Sequence, residues 1–249
     1  ATSRQKQLEK LDIQALEVSS RRDPSIVFRV NRTIGNEALN IIKLNFSYGD
    51  LCVLKDLTLD ILPGDKIALI GRNGIGKTTF CELICENLKP QSGTIKWGAT
   101  IERGYFPQNT TEIIKGEESL YEYLRGFDKK KETTEIRNAL GRMLFSGEEQ
   151  EKSVGSLSGG EKHRIMLSKL MLEGGNFLVL DEPTNHVDLE AIIALGEALY
   201  KYGGNVICVS HDRELIDAFA NRIIEFKEDN EVVDFRGSYE EYLASQNLE

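Results

Sequence analysis

The 249-residue sequence predicts an α/β fold, and three short apolar runs support that prediction. Residues 66–70 (KIALI), 177–180 (FLVL) and 206–209 (VICV) have the length of buried strands and are too short for helices. Phe80 and Leu83, which follow the first run, recur at helical spacing. Buried strands that alternate with helices indicate a doubly wound parallel sheet. The carboxyl ends of such strands face a ligand crevice.

The first run leads into residues 71–79 (GRNGIGKTT), which have the G-x-x-x-x-G-K-T pattern of a phosphate-binding loop, or P-loop. Glycines let main-chain amides turn inward around a phosphate, and the start of the following helix adds to the attraction. Lys77 is predicted to reach the β and γ phosphates, and the Thr78 hydroxyl to hold Mg²⁺. The alternative is a glycine-rich turn with a solvated lysine, but the strand before it and the helix after it favour the P-loop. The candidate nucleotide-binding residues here are Gly71, Arg72, Asn73, Gly74, Ile75, Gly76, Lys77, Thr78 and Thr79.

The other two strands also end in residues that can carry chemistry. Asp181 and Glu182 follow the second run, and His211 follows the third. In a doubly wound sheet Asp181 is predicted to lie in the Mg²⁺ shell, and Glu182 to orient or deprotonate the attacking water. An acidic pair or a lone histidine after a core strand is often structural. The functional interpretation therefore depends on finding these residues together.

Residues 157–161 (LSGGE) open a further predicted helix, with apolar residues from Ile165 to Met171. Ser158, Gly159 and Gly160 form a second candidate anion site, because a glycine-rich helix start presents free main-chain amides. The alternative is an ordinary capped helix.

The order P-loop, Gln108, LSGGE, FLVLDE and His211 resembles the ATP-binding-cassette (ABC) ATPases over residues 40 to 235. The resemblance implies a RecA-like P-loop NTPase core with an antiparallel β subdomain and a helical subdomain, binding ATP and Mg²⁺. It also implies that Tyr48 stacks on adenine, that Gln108 senses Mg²⁺ and the water, and that Asp188 lies in a loop crossing between two cassettes. On this basis the catalytic residues are Lys77, Gln108, Glu182 and His211, the metal-binding residues are Thr78, Gln108 and Asp181, and the signature residues Ser158, Gly159 and Gly160 face a partner's nucleotide.

Residues 182–186 (EPTNH) look like the ABC-F proteins, soluble twin-cassette ATPases that act on ribosomes. Val187 departs from the leucine usual there. Residues 140–145 and 232–243 look most like the YbiT-like bacterial branch. The resemblance implies a second cassette, a weak ATPase alone, that closes head to tail on the first cassette or a second copy. It also implies contact with ribosome and tRNA through the linker.

The predicted domain plan has three parts. Residues 1–36 are the end of the inter-cassette linker and the segment leading into the domain, with a disordered terminus as the alternative. Residues 37–235 are the nucleotide-binding domain, whose helical subdomain covers about 109–172. Residues 236–249 are the C-terminal tail. Within the domain, Leu39–Ile61 is predicted as antiparallel, and Gly93–Trp97 as a strand of the nucleotide core.

Charge and composition restrict the partners. The net charge is −9, which is the sum of +3 for residues 1–32 (seven basic and four acidic residues) and −12 for the rest of the chain. The domain is therefore expected to repel a polyanion, unless local basic patches such as Lys129–Lys131 outweigh its average charge. The four cysteines are predicted as buried thiols in a reducing compartment. No membrane span or secretory signal is recognised, which predicts a cytoplasmic protein.

Three other classes of protein are alternatives to this interpretation of the sequence. A transporter's nucleotide-binding subunit shares the chemistry but has a membrane partner. DNA-repair or chromosome ATPases carry long coiled coils or zinc modules between the two glycine motifs, and this chain has neither. A non-enzymatic binding module does not need the hydrolytic positions, all of which are intact.

Overall fold

The structure is a computed structural model that describes residues 24–185 and 187–246. The strands of this part are β1 (Leu39–Tyr48), β2 (Leu51–Ile61), β3 (Lys66–Gly71), β4 (Ser92–Trp97), β5 (Arg103–Phe106), β6 (Phe177–Asp181), β7 (Asn205–Val209), β8 (Arg222–Phe226) and β9 (Val232–Arg236). The helices are α1 (Lys77–Ile84), α2 (Thr110–Ile113), α3 (Leu120–Phe127), α4 (Thr133–Arg142), α5 (Gly159–Glu173), α6 (Leu189–Lys201), α7 (Arg213–Phe219) and α8 (Tyr239–Gln246). Short 3₁₀ turns lie at Glu149–Glu151, Val154–Ser156 and Glu228–Asn230.

A six-stranded sheet with the order β5-β6-β7-β3-β8-β9 forms the centre of the domain. All neighbouring pairs are parallel except β8 and β9, which form an antiparallel hairpin. The three apolar runs of the sequence are β3, β6 and β7, and they are adjacent in the sheet. The predicted α/β class is confirmed, and the ends of β3, β6 and β7 meet at one edge of the sheet.

Side chains of the central sheet alternate between two apolar cores. Phe177 and Val179 of β6 pack in one core with Phe80 of α1. Leu178 and Leu180, between them, pack in the other core with the helices that follow β5. This alternation follows from the two-residue period of a strand and buries both faces of the sheet. The strand ends that carry polar residues are therefore held in fixed register.

A separate three-stranded antiparallel sheet has the order β2-β1-β4. The predicted antiparallel subdomain is confirmed, and its first hairpin turns between Tyr48 and Leu51. The placement of Gly93–Trp97 in the nucleotide core was wrong, since Leu39 of β1 pairs with Trp97 of β4. The residues of β4 are exposed or half-buried, as in an antiparallel strand with one solvated face.

Helices α2 to α5 lie between β5 and β6 and form the helical region of the domain. Ile26 and Phe28 of residues 24–36 are buried in the same core. At the other end, Tyr242 of α8 is buried and its hydroxyl donates to Glu225 of β8 at 2.7 Å. The predicted boundaries near residues 36 and 235 remain predictions, although residues on both outer sides pack on the domain.

The cysteines differ from the prediction at one position. Cys81 and Cys208 are buried and Cys85 is half-buried, but Cys52 is exposed. Cys52 lies on β2, an edge strand of the antiparallel sheet whose outward positions face solvent. All four are free thiols. In the described part of the chain, no helix has the length and apolar character needed to cross a membrane.

Candidate nucleotide-binding site

The P-loop joins β3 to α1, and two of its glycines lie where the backbone is left-handed and crowded. Gly71 has φ 140°, and a Cβ there would lie 2.4 Å from the carbonyl oxygen of Phe226. Gly76 precedes α1 with φ 111°, and a Cβ there would lie 2.6 Å from Val53 Cγ1. Other residues are strained at such φ and would clash, so the loop path requires glycine at both positions.

Lys77, the first residue of α1, is only 6% exposed. Its Nζ donates to the carbonyl oxygens of Gly71 at 2.7 Å and Arg72 at 3.0 Å. Burial lowers the pKa of Lys77, while the nearby Glu182 and Asp181 carboxylates raise it. The ammonium is thus held by main-chain oxygens that a phosphate can replace.

A cavity of about 460 Å³ opens at this edge of the sheet. The predicted residues that line it are Tyr48, Asn73, Gly74, Gly76, Lys77, Thr78, Thr79, Gln108, Glu182 and His211. The predicted residues outside this lining are Gly71, Arg72, Ile75, Ser158, Gly159, Gly160 and Asp181.

Asp181 ends β6 and is completely buried. Neither carboxylate oxygen has a hydrogen bond of normal geometry within the described chain, although the Thr78 hydroxyl is near enough to favour the charged form. Burial raises the pKa of Asp181 to about 6, and Glu182 and Glu82 push it in the same direction. A buried carboxylate without partners is costly, so it points to a cation that would compensate it.

Asp181 and Thr78 offer a carboxylate and a hydroxyl oxygen, the hard ligands that Mg²⁺ prefers. No group of three or more His, Cys, Asp or Glu that could hold a metal occurs among the described residues. Mg²⁺ commonly takes only one or two carboxylates and completes its shell with phosphates and water. The residues therefore fit Mg²⁺ that arrives with a triphosphate.

Glu182 and His211 come together from the ends of two neighbouring strands. Glu182 Oε1 lies 3.4 Å from His211 Nε2, and the Glu182 side chain is 11% exposed. Burial raises the pKa of Glu182 and lowers that of His211, and the Lys77 charge lowers both. Both effects on the pKa of His211 favour its neutral form, in which its contact with Glu182 is a polar one.

The backbone of Glu182 is also unusual. Its φ of 52° lies in the left-handed region, and its amide donates to the carbonyl oxygen of Val209 at 3.0 Å. A non-glycine residue in this region stores strain, which the parallel pairing of β6 and β7 holds in place. In this backbone conformation the Glu182 carboxylate lines the cavity beside His211.

Ser158, Gly159 and Gly160 lie at the start of α5, away from this cavity. Ser158 Oγ accepts from the Glu161 amide at 3.3 Å, and Glu161 Oε2 accepts from the Ser158 amide at 2.8 Å. These two hydrogen bonds form a capping box, which is the arrangement that the alternative of an ordinary capped helix predicts. The anion-binding role of the turn remains a prediction.

Sequence reasoning missed several residues that line the cavity. Thr184 and Asn185 follow Glu182 directly, so their position in the chain could have indicated them. Leu51 and Val53 come from β2 in the other sheet, and no local signal marks them. Asp212 lines the cavity next to His211, and its carboxylate also caps α7 by accepting from the Leu215 amide at 3.0 Å.

A parallel sheet with a P-loop opposite a buried carboxylate defines the P-loop nucleotide-binding proteins. The family model described as ABC transporter matches residues 54–185. The chain belongs to the ATP-binding-cassette family.

Three relatives match essentially the whole chain. The ABC transporter ATP-binding protein YkpA of Bacillus subtilis is 42% identical over 100% of this chain and 46% of its own length. The ATP-binding protein YbiT of Escherichia coli is 37% identical over 100% of this chain and 47% of its own. ABC transporter F family member 5 of Arabidopsis thaliana is 36% identical over 100% of this chain and 36% of its own. The predicted resemblance to ABC-F proteins is confirmed, and the chain spans about half the length of the first two relatives.

Solved structures show the same fold. Among them cbiO1 from Clostridium perfringens, part of the ABC transporter complex cbiONQ, superimposes with a TM-score of 0.65 at 23% identity. The alignment covers 86% of this chain and 93% of that one.

Proposed function

We propose that the chain binds ATP with Mg²⁺ in the P-loop cavity and hydrolyses its γ phosphate as one half of a cassette pair. The observation that carries the proposal is that Lys77, Glu182 and His211, which come from three different strand ends, line one cavity. Phosphoryl transfer to water needs positioned charge more than covalent chemistry, and this arrangement supplies it.

The triphosphate is held by the P-loop. Amides of the loop and the start of α1 face the phosphates, and Lys77 exchanges its two carbonyl partners for β and γ oxygens. Tyr48 stands at the rim of the cavity with a half-exposed ring, which gives adenine a stacking face. Thr78 and Asp181 would hold Mg²⁺, with Gln108 at the edge of the site. When bound, the ion offsets the negative charge of the β and γ phosphates.

Hydrolysis is assigned to Glu182 and the residues around it. The Glu182 carboxylate orients a water and takes its proton as the water oxygen bonds to the γ phosphorus and the β–γ bridging bond breaks. Burial makes the Glu182 carboxylate a better base than an exposed one, since its pKa is raised. His211, 3.4 Å from Glu182, keeps the carboxylate oriented and lies within reach of the γ phosphate.

The Ser158–Gly160 turn is proposed to act on a nucleotide held by another cassette. It lies outside this chain's own cavity and leaves exposed amides at a helix start. Relatives about twice as long supply the room for a second cassette. Two cassettes that close head to tail around two ATP molecules form an ATP-driven conformational switch. We propose that this switch acts on the ribosome in the cytoplasm, in keeping with the similarity to ABC-F proteins.

One experiment separates this proposal from the transporter alternative. Full-length Glu182→Gln protein, blocked after ATP binding, should co-sediment with ribosomes when ATP is present and be released when it is omitted. Capture of an integral-membrane partner, with no ribosome co-sedimentation, would instead favour a transporter cassette.

A further inference from the structure

A groove of about 190 Å³ lies on the helical region, away from the P-loop cavity. Residues 24–32 form one wall, and the turn at Lys131 with helices α4 and α5 forms the other. We call it the basic groove, because three of the side chains that line it are the cations Arg29, Lys131 and Arg142.

The wall made by residues 24–32 is fixed by main-chain hydrogen bonds. The Ser25 amide donates to the carbonyl oxygen of Arg142, and the Asn31 amide donates to that of Gly174, both at 2.9 Å. The Val27 amide donates to the sulfur of Met171 at 3.3 Å. One wall of the groove is therefore held in place through its main chain.

In the described part of the chain, the three cations of the basic groove have no carboxylate partner. Within residues 24–185 and 187–246, neither Arg29 nor Lys131 has a side-chain hydrogen bond or ion pair. Arg142 Nη1 donates to the neutral Ser25 hydroxyl at 3.2 Å.

Other cations of the same helices have carboxylate partners. Arg137 of α4 pairs with Glu151 at 3.2 Å, and Lys169 of α5 pairs with Glu173 at 3.3 Å. The contrast shows that carboxylates are available in this region but are not placed opposite the groove cations.

The single carboxylate that lines the basic groove is Glu135. Its Oε2 accepts from the Glu132 amide at 3.1 Å, as part of the cap of α4. Three cations thus face one carboxylate that already serves a helix start. Since charges more than about 8 Å apart are largely screened at physiological salt, the net charge of −9 does not cancel this local excess.

We propose that the basic groove binds the phosphodiester backbone of RNA, with Arg29, Lys131 and Arg142 each countering one phosphate. Arginine forks match phosphate oxygens, and fixed cations release counterions when a polyanion binds. The choice of RNA rests on the proposed translational function, whereas the excess of positive charge does not. One wall of the groove lies within residues 1–36, the predicted linker end and entry segment, and the other wall lies in the helical region of the domain.

The test measures binding of a fluorescent 20-nucleotide single-stranded RNA to this chain over a series of salt concentrations. Arg29→Ala and Lys131→Ala should each weaken binding roughly fivefold at 0.1 M salt and reduce the slope of log K against log salt by about 0.7. The double variant should lose roughly 25-fold. Lys131→Arg should retain binding, since it keeps the charge.

Lys89→Ala is the matched control, because Lys89 is an exposed lysine outside the groove and its loss changes the net charge equally. It should bind RNA like the unmodified chain. The proposal is overturned if the groove variants match Lys89→Ala in affinity and slope. It is equally overturned if inorganic phosphate or poly-glutamate displaces the RNA at equal charge concentration, which would identify a free-anion or acidic-peptide site.

ATP binding is measured in the same samples. All these variants should bind ATP normally, since none lines the P-loop cavity. A preparation that binds RNA through the groove but not ATP would disprove the proposed function and leave the groove intact.

Discussion

Two glycine-rich helix starts in this chain look alike in sequence but differ in their surroundings. The P-loop lies against buried Lys77 and Asp181 and lines a cavity that also contains Glu182. The Ser158–Gly160 turn precedes the buried Lys162 and His163, but it lines no part of that cavity. A helix start attracts anions in both places, but only the first is surrounded by groups that can grip and split a triphosphate.

We infer that one chain holds the complete P-loop grip on a triphosphate but only part of the catalytic site. Burial raises the pKa of both Asp181 and Glu182, which is the electrostatic mark of a functional site. Beside the Ser158–Gly160 turn, the pKa of Glu161 is lowered, chiefly by its capping hydrogen bond with Ser158. In the proposal, the Ser158–Gly160 turn acts on a nucleotide held by another cassette.

Glu182→Gln should give the largest effect on the P-loop side of the comparison. Removing the base that takes the proton of water should lower turnover by about 100- to 10,000-fold, with ATP affinity unchanged within about twofold. Turnover is measured by phosphate release and affinity by calorimetry. Glu190→Gln, at an exposed position of α6 outside the cavity, should keep full activity. Hydrolysis that survives Glu182→Gln would mean that another group is the base.

Lys77→Ala should weaken ATP binding by about 10- to 150-fold, which corresponds to the loss of charge-assisted hydrogen bonds worth about 1.5–3 kcal/mol. Calorimetric titration with ATP and Mg²⁺ measures the change. Lys96→Ala removes an exposed lysine that pairs with Glu37 far from the cavity, so it should leave the affinity unaltered. If the two variants bound ATP with equal affinity, Lys77 and the P-loop would not be the ATP-binding site.

Asp181→Asn should stabilise the nucleotide-free chain while it weakens binding of ATP with Mg²⁺. The rise of the Asp181 pKa from 3.8 to about 6 costs the folded state about 3 kcal/mol at neutral pH. After allowance for the new amide, about 2 kcal/mol, or roughly 4–8 °C in Tm, should be recovered. Asp217→Asn, at an exposed carboxylate of α7, should change little.

The sign of this effect gives it a pH dependence. Because the folded pKa is raised, the destabilisation is fully present above about pH 6 and disappears as pH falls towards the unfolded value near 4. Thermal melts of Asp181→Asn and the unmodified chain should therefore converge between pH 6 and 4. A difference in Tm that stays constant over that range would show that the Asp181 charge is compensated.

Gly160→Asp should have the smallest effect on the isolated chain. A Cβ at this position meets no atom within 4 Å, so stability should change by less than about 0.5 kcal/mol and ATP affinity should not change. Only turnover that requires a second cassette should fall, since a carboxylate would occupy the turn. Gly126→Asp, equally open and on α3, is the control. Loss of ATP binding in Gly160→Asp would place the turn in the chain's own site.

Much of this fold could be predicted because parallel strands are buried on both faces and give continuous apolar runs. Those runs placed β3, β6 and β7 correctly, and the carboxyl-end rule then brought Lys77, Glu182 and His211 to one edge. The rule is geometric and needs no knowledge of distant contacts.

The failures come from contacts that periodicity does not encode. The Gly93–Trp97 strand was assigned to the wrong sheet, because the hydrophobic pattern of a half-buried strand does not indicate which strand it pairs with. Leu51 and Val53 line the cavity from β2 of the antiparallel sheet. Cys52, which lies between them on the same strand, is exposed to solvent. Such positions depend on how two sheets meet.

The most direct test of the central claim mixes two inactive variants of this chain. Lys77→Ala keeps the signature turn, and Gly160→Asp keeps the P-loop, so a head-to-tail pair of the two contains one complete site. Steady-state ATP turnover of the mixture should exceed that of either variant alone and should rise faster than linearly with total concentration. A mixture no more active than its components, beside an unmodified chain whose turnover is strictly proportional to concentration, would contradict the claim.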